Sequence, residues 1–223
     1  PKLKYFEKFV RPYEKNVKIL IDANIPKWKI ETLRLLGYTY PSDFLHHDDQ
    51  GVNYSDFIYC SPIYYNSRSV FNRKALLWLK NKMLKKIKDK EKPIKQVKRI
   101  YITRSDAKSK KIINEIELIK ELKKYGFKIY KLSSMNFIKK IKLFYQAEII
   151  VGSNGAGLLH SLFSENCKII ELFSKGKKPN MYHALSIIFK NSYFSIVCEN
   201  SLNRNTKDIY VNIKELLNII KIK

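Results

Sequence analysis

Residues 148–158 read EIIVGSNGAGL, a short apolar run followed at once by Gly152, Ser153, Asn154, Gly155, Ala156, Gly157 and Leu158. The run has the length of a buried strand, and the loop after it opens onto a helical pattern. Three glycines within six residues permit positive φ and close approach of a ligand to the backbone, while a helix N-terminus turns unpaired N–H groups toward an anion. A diphosphate suits such a loop. The spacing matches neither a dinucleotide fingerprint nor a P-loop, which argues against NAD and ATPase chemistry. The plain alternative is a tight strand-to-helix turn packed on the sheet.

Around this stretch, strands expected over 100–103, 127–131, 149–151, 168–173 and 193–197 alternate with helices over 115–125, 136–147, 157–164, 180–190 and 207–220. The alternation predicts a parallel sheet covered by helices on both faces. Ligands of such sheets bind beyond the carboxyl ends of the strands, so the loops after Thr103, Val151 and Phe173 are expected to share one crevice. Toward the N-terminus, VKILID (17–22) reads as a strand, Asn24 as an N-cap, Pro26 as the first helical turn and Gly37 as the stop. A second strand is expected over 57–60, and a helix over 69–86 with Leu76, Leu77, Leu79 and Leu84 on its buried face. Residues 85–99, KKIKDKEKPIKQVKR, are dominated by charge and contain Pro93. Few core contacts can cross such a stretch, which divides the chain into lobes 1–92 and 93–223.

The 44 Lys and Arg against 20 acids give a net charge of +24, beside 45% apolar and 13% aromatic residues, enough for real cores. Such charge fits nucleic acid, an anionic membrane or a phosphate-bearing small substrate, or simply solvated lysine-rich faces. No stripe of the single-strand-binding kind stands out, so nucleic acid is not expected. Residues 82–98 offer a peripheral contact for anionic lipid, weakened by Asp89 and Glu91. No apolar run nears the ~18 residues of a membrane span, and PKLKYFEKF is too charged for a signal peptide, so a cytoplasmic protein is expected. Cys60, Cys167 and Cys198 lie far apart in apolar segments and read as free thiols.

Several residues are candidates for chemistry. Residues 104–115, RSDAKSKKIINE, bring Arg104, Lys108, Lys110 and Lys111 to the crevice, where Arg offers phosphate a bidentate fork. Lys108 reads equally as a solvated loop charge. Asn114 and Glu115 close that segment and count among its ligand candidates, although Asn114 with Glu117 makes a good capping box. Glu171 ends the strand KIIEL, where burial demands a partner: a ribose diol or a lysine. Asp22, at the end of the first strand, and the HHDD run at 46–49, with Asp48, are candidates for a catalytic base; four adjacent residues cannot all face one metal ion, and the run reads best as solvated loop.

The stretches YITRSDAKSKKIINEIELIKELKKYGF, FIKKIKLFYQAEIIVGSNGAGLLHSLF, KIIELF and MYHALSIIFKNSYF together resemble the catalytic region of family 61 glycosyltransferases, a family that includes capsular-polysaccharide and protein O-glycan enzymes. The resemblance is strong over 99–197 and weak before. It implies an α/β, GT-B-like fold of two Rossmann-like lobes with parallel sheets. It also implies inverting transfer of a sugar from a nucleotide-diphosphate donor to a glycan or protein hydroxyl, with no metal or other cofactor. By position, Arg104 and the Gly155–Ala156–Gly157 turn would hold the diphosphate and Glu171 would meet the nucleoside. Asn154 stands where the family usually has His, and keeps hydrogen bonding but no titratable ring. Lys110 or Lys111 stands where Arg is common. His160 replaces a small polar residue one turn from the glycines, as a phosphate neighbour and catalytic candidate or as an ordinary hydrogen-bonded helix histidine. The N-terminus reads as the middle of a first-lobe helix, which implies an incomplete first lobe. The rival function is an inactive basic module that binds nucleic acid or anionic glycan.

Overall fold

The structure, a computed structural model, describes residues 2–47, 58, 71–88, 97–107, 109–176, 181–201 and 208–222. The chain forms two compact units, 1–92 and 93–223.

In the first unit α1 (Lys2–Phe9) precedes β1 (Ile19–Asp22), α2 (Lys27–Leu35), β2 (Phe44–His47) and α3 (Arg73–Lys88). β1 and β2 pair in parallel, from Ile19 opposite Phe44 to Asp22 opposite His47. The strand thus lies at 44–47 and takes in both histidines of the HHDD run, all of which was expected as loop. The expected strand at 57–60 falls outside the described residues apart from Ile58, which is exposed and irregular. Pro26, in extended conformation, caps α2 in place of Asn24. Gly37 ends the helix as expected: at φ 92° it lets Tyr38 N–H reach Leu33 O at 3.1 Å and its own N–H reach Arg34 O at 3.0 Å. α3 starts at Arg73 because the Asn72 carboxamide accepts from Ala75 N–H at 2.9 Å. Its buried face is Ala75, Leu76, Lys80, Met83 and Ile87, with Leu77, Leu79 and Leu84 only half-buried. Glu7 ties α1 to the rest, accepting from Tyr38 Oη at 2.7 Å and pairing with Lys82 at 3.3 Å.

The second unit runs β3 (Arg99–Ile102), α4 (Glu115–Lys124), β4 (Lys128–Tyr130), a 3₁₀ turn (Leu132–Ser134), α5 (Phe137–Tyr145), β5 (Ile149–Ser153), a 3₁₀ helix (Ala156–Phe163), β6 (Lys168–Ser174), α6 (Met181–Ile188), β7 (Ser192–Asn200), β8 (Ile209–Tyr210) and α7 (Ile213–Lys221). The strand order is β4-β3-β5-β6-β7-β8. β3 to β7 are parallel, as the alternation predicts, and β8 adds an antiparallel edge that it does not. The final helix is correspondingly shorter, opened by Asn212, whose side chain accepts from Glu215 N–H. One face of the sheet buries Tyr101, Val151, Ile170, Leu172 and Ile196 with Leu118 and Leu122 of α4 and Leu216 and Ile220 of α7. Strand alternation sends Ile100, Ile102, Gly152 and Glu171 to the opposite face.

Because β3 is flanked by β4 on one side and β5 on the other, the chain direction across the sheet reverses between β3 and β5. In doubly wound sheets that switch point opens a crevice at the carboxyl ends of the strands. Arg104 follows one of these strands and Asn154 the other.

Candidate functional site

Arg104 is half-buried just beyond β3. Its Nη2 donates to Ser109 O at 3.3 Å, and its Nη1 lies so close to Gly155 that a methyl group there would collide with it. Its Nε is buried with no hydrogen-bond partner among the described residues, as is the hydroxyl of Ser153. Buried polar atoms normally have partners, so two orphans on adjacent strand ends mark a place built for something polar.

The glycine turn is arranged differently from the expectation of positive φ. Gly155 is extended, at φ 172° and ψ 167°, and neither Gly152 nor Gly157 has positive φ. All three serve close approach. A Cβ on Gly152 would sit 3.2 Å from Leu158 Cδ2, one on Gly157 would sit 3.1 Å from Leu132 Cδ1, and one on Gly155 would displace the guanidinium. The following helix is 3₁₀, with Leu158 N–H bonded to Gly155 O at 3.1 Å. Asn154 N–H donates to Leu172 O at 2.7 Å, and Tyr182 Oη donates to Gly155 O at 2.6 Å. The turn is thus held by β6 and α6 as well as by its own strand.

Glu171 is 1% exposed. Its partners are neither a lysine nor a free donor: Asn154 Nδ2 donates to Oε1 at 2.5 Å and Tyr193 Oη to Oε2 at 2.5 Å. Burial and the adjacent carboxylate together push the Tyr193 phenol well above its ordinary value. Tyr182 is pushed up to about 12 by burial, with the charge of Glu171 adding and that of Arg104 opposing. Neither tyrosine stands out in the sequence. The available signal is alternation along β7: Tyr193 shares a face with Ser195, which sits opposite Glu171.

Glu115, at the first turn of α4, folds back onto β3. Its Oε1 accepts from Tyr101 Oη at 2.6 Å, Thr103 Oγ1 at 2.8 Å and Arg104 N–H at 3.3 Å, which fixes where the Arg104 loop leaves the sheet. Asn114 does not form the expected capping box, because its carboxamide is engaged elsewhere: Nδ2 donates to Val211 O at 2.9 Å, and Oδ1 accepts from Val211 N–H at 3.0 Å. Lys111 N–H bonds to Asp208 at 2.8 Å, so the end of the basic segment is clipped to the chain at the start of β8. Lys110, at φ 59°, lines a small crevice with Ser153, Asn154, Ser174 and Ile209. Ala156 is exposed and Leu158 buried against Gly152.

The remaining candidates are His160, Asp22, Lys108 and Asp48. His160 packs between Phe137 and Phe144, with ring centroids at 5.9 and 5.4 Å, and its Nδ1 is 3.1 Å from Gly157 O. Burial lowers its pKa, favouring the neutral ring. Asp22 belongs to the first unit, exposed at the end of β1 and 3.5 Å from Lys29. Lys108 and Asp48 are outside the described residues. Among the described residues no group of three or more His, Cys, Asp or Glu is placed to ligate a metal, and no helix is long and apolar enough to cross a membrane.

The order of β3 to β7 and the cluster at their switch point define a doubly wound α/β protein with its unpaired polar groups at the carboxyl ends of the central strands. The model of the family described as Glycosyltransferase 61 matches residues 6–170, and the chain belongs to that family. The match extends nearly to the start of the chain, where the resemblance is weak, and stops one residue short of Glu171. A comparison with curated proteins finds no match.

Proposed function

We propose that this glycosyltransferase moves a sugar from a nucleoside-diphosphate donor to a hydroxyl of a glycan or protein, with inversion, and that the second unit binds the donor. The observation that carries the reading is the Arg104 guanidinium lying against Gly155 at the switch point, with its buried Nε unpartnered. A diphosphate there would supply the missing acceptor and a counter-charge. Gly155 lets the Arg104 guanidinium lie against the turn, and Lys110 adds a second cation beside Ser153. In a GT-B arrangement the first unit would carry the acceptor and the base that takes its hydroxyl proton as the diphosphate leaves. Asp22 is the described candidate for that base, with Asp48 the other.

The test compares UDP with UMP and GDP with GMP by thermal shift. A ligand at 100 times its Kd adds about 2.7 kcal/mol. The diphosphate of the preferred base is expected to raise Tm more than its monophosphate, and Arg104→Ala to abolish most of that difference. Equal shifts from mono- and diphosphates would overturn the diphosphate site.

A further inference from the structure

Glu171 presents a contradiction to any role as a direct ligand. Its two oxygens are buried and each already accepts a 2.5 Å hydrogen bond, from Asn154 and from Tyr193. The consequence lies in the Asn154 carboxamide. Asn154 Nδ2 donates to Oε1, so the end of the amide that faces Glu171 is its NH₂ group. Its Oδ1 makes no hydrogen bond among the described residues, and Asn154 is half-buried at the mouth of the crevice beside Gly155. The Asn154 main chain is pinned as well, through the bond to Leu172 O.

Resting on the donor site proposed above, we infer that Glu171 is a positioning residue: it orients Asn154 so that Oδ1 is an acceptor for a hydroxyl or N–H of the nucleoside part of the donor. A phosphate oxygen cannot satisfy Oδ1, since both are acceptors. Arg104 and Asn154 therefore read different parts of one ligand, the first its diphosphate and the second its nucleoside. Tyr193 occupies the other carboxylate oxygen and keeps Glu171 from turning away from Asn154.

A double-mutant cycle separates this role from direct contact. UDP, GDP and inorganic pyrophosphate are titrated by calorimetry into the wild-type chain and into Asn154→Ala, Glu171→Gln, the double variant and Arg104→Ala. Asn154→Ala is expected to weaken the preferred nucleoside diphosphate about tenfold, the loss of one hydrogen bond to a fixed acceptor, and to leave pyrophosphate unchanged. Glu171→Gln is expected to give a similar loss, because Gln donates as well as accepts and lets the amide pair invert. The double variant should bind no worse than Asn154→Ala. Additive losses, about a hundredfold in the double variant, would mean that Glu171 touches the nucleotide itself and would overturn the inference, as would unchanged binding by Asn154→Ala. If Glu171→Gln fails to fold, Asn154→Ala still decides through its contrast between nucleotide and pyrophosphate. Arg104→Ala should weaken both ligands, which tests the donor site separately. A wild-type chain that binds neither UDP nor GDP removes that site and this inference with it.

Discussion

Single residues at the switch point work through proximity. At φ 172° alanine is as comfortable as glycine, so Gly155→Ala carries no backbone strain, and its methyl meets the Arg104 guanidinium instead. Thermal stability is expected to change by less than about 1 kcal/mol, while diphosphate affinity falls about tenfold or more as Arg104 is driven from its place. Gly152→Ala is the comparison. Its methyl enters the packed space between Leu158 and Ile102, and overpacking of that kind costs about 1–3 kcal/mol of stability. Calorimetric affinity and Tm measured on both variants check the contrast. A destabilised Gly155→Ala chain with intact affinity would show that the turn is only a packing device.

Among the elements, the segment joining β3 to α4 is held from outside itself. Asn114 replaces a rung of sheet, both ends of its amide meeting the Val211 backbone. Asn114→Ala leaves a buried N–H and C=O unpaired, at about 1–3 kcal/mol each. It is expected to lower Tm by several degrees and leave nucleotide affinity nearly unchanged in the molecules that stay folded. Loss of affinity without loss of stability would make Asn114 a ligand. This segment also marks where the sequence stops being legible. The parallel strands β3 to β7 could be read because each is a run of apolar residues between turn signals, and Arg104, Asn154 and Gly155 because they follow such strands, beyond whose carboxyl ends ligands of parallel sheets bind. β8 could not. It is two residues long, pairs antiparallel and depends on partners 97 residues away in the chain. The same blindness to distant partners made Asn114 look like a cap. Glu171 was recognisable as needing partners, but Tyr193 could be chosen only once the register of β6 and β7 was known.

Across the whole molecule the charge of +24 gives an anionic donor no shortage of cations. If Arg104, Lys110 and the backbone of the glycine turn balance the diphosphate, no divalent ion is required for transfer. Turnover is expected to be unchanged in EDTA. Complete loss in EDTA, restored by Mn²⁺ or Mg²⁺, would overturn that. The clasp between residues 111–114 and 208–211 bears on the birth of the protein as well as its shape. Synthesis delivers β3, the Arg104 loop and the glycine turn long before it delivers β8. With partners 97 residues apart, the loop waits roughly 5–20 s at translation rates of about 5–20 residues per second before its fastening arrives. A nascent chain on the ribosome therefore carries Arg104, Lys110 and the glycine turn for some time before the segment that holds the basic loop in place has been made.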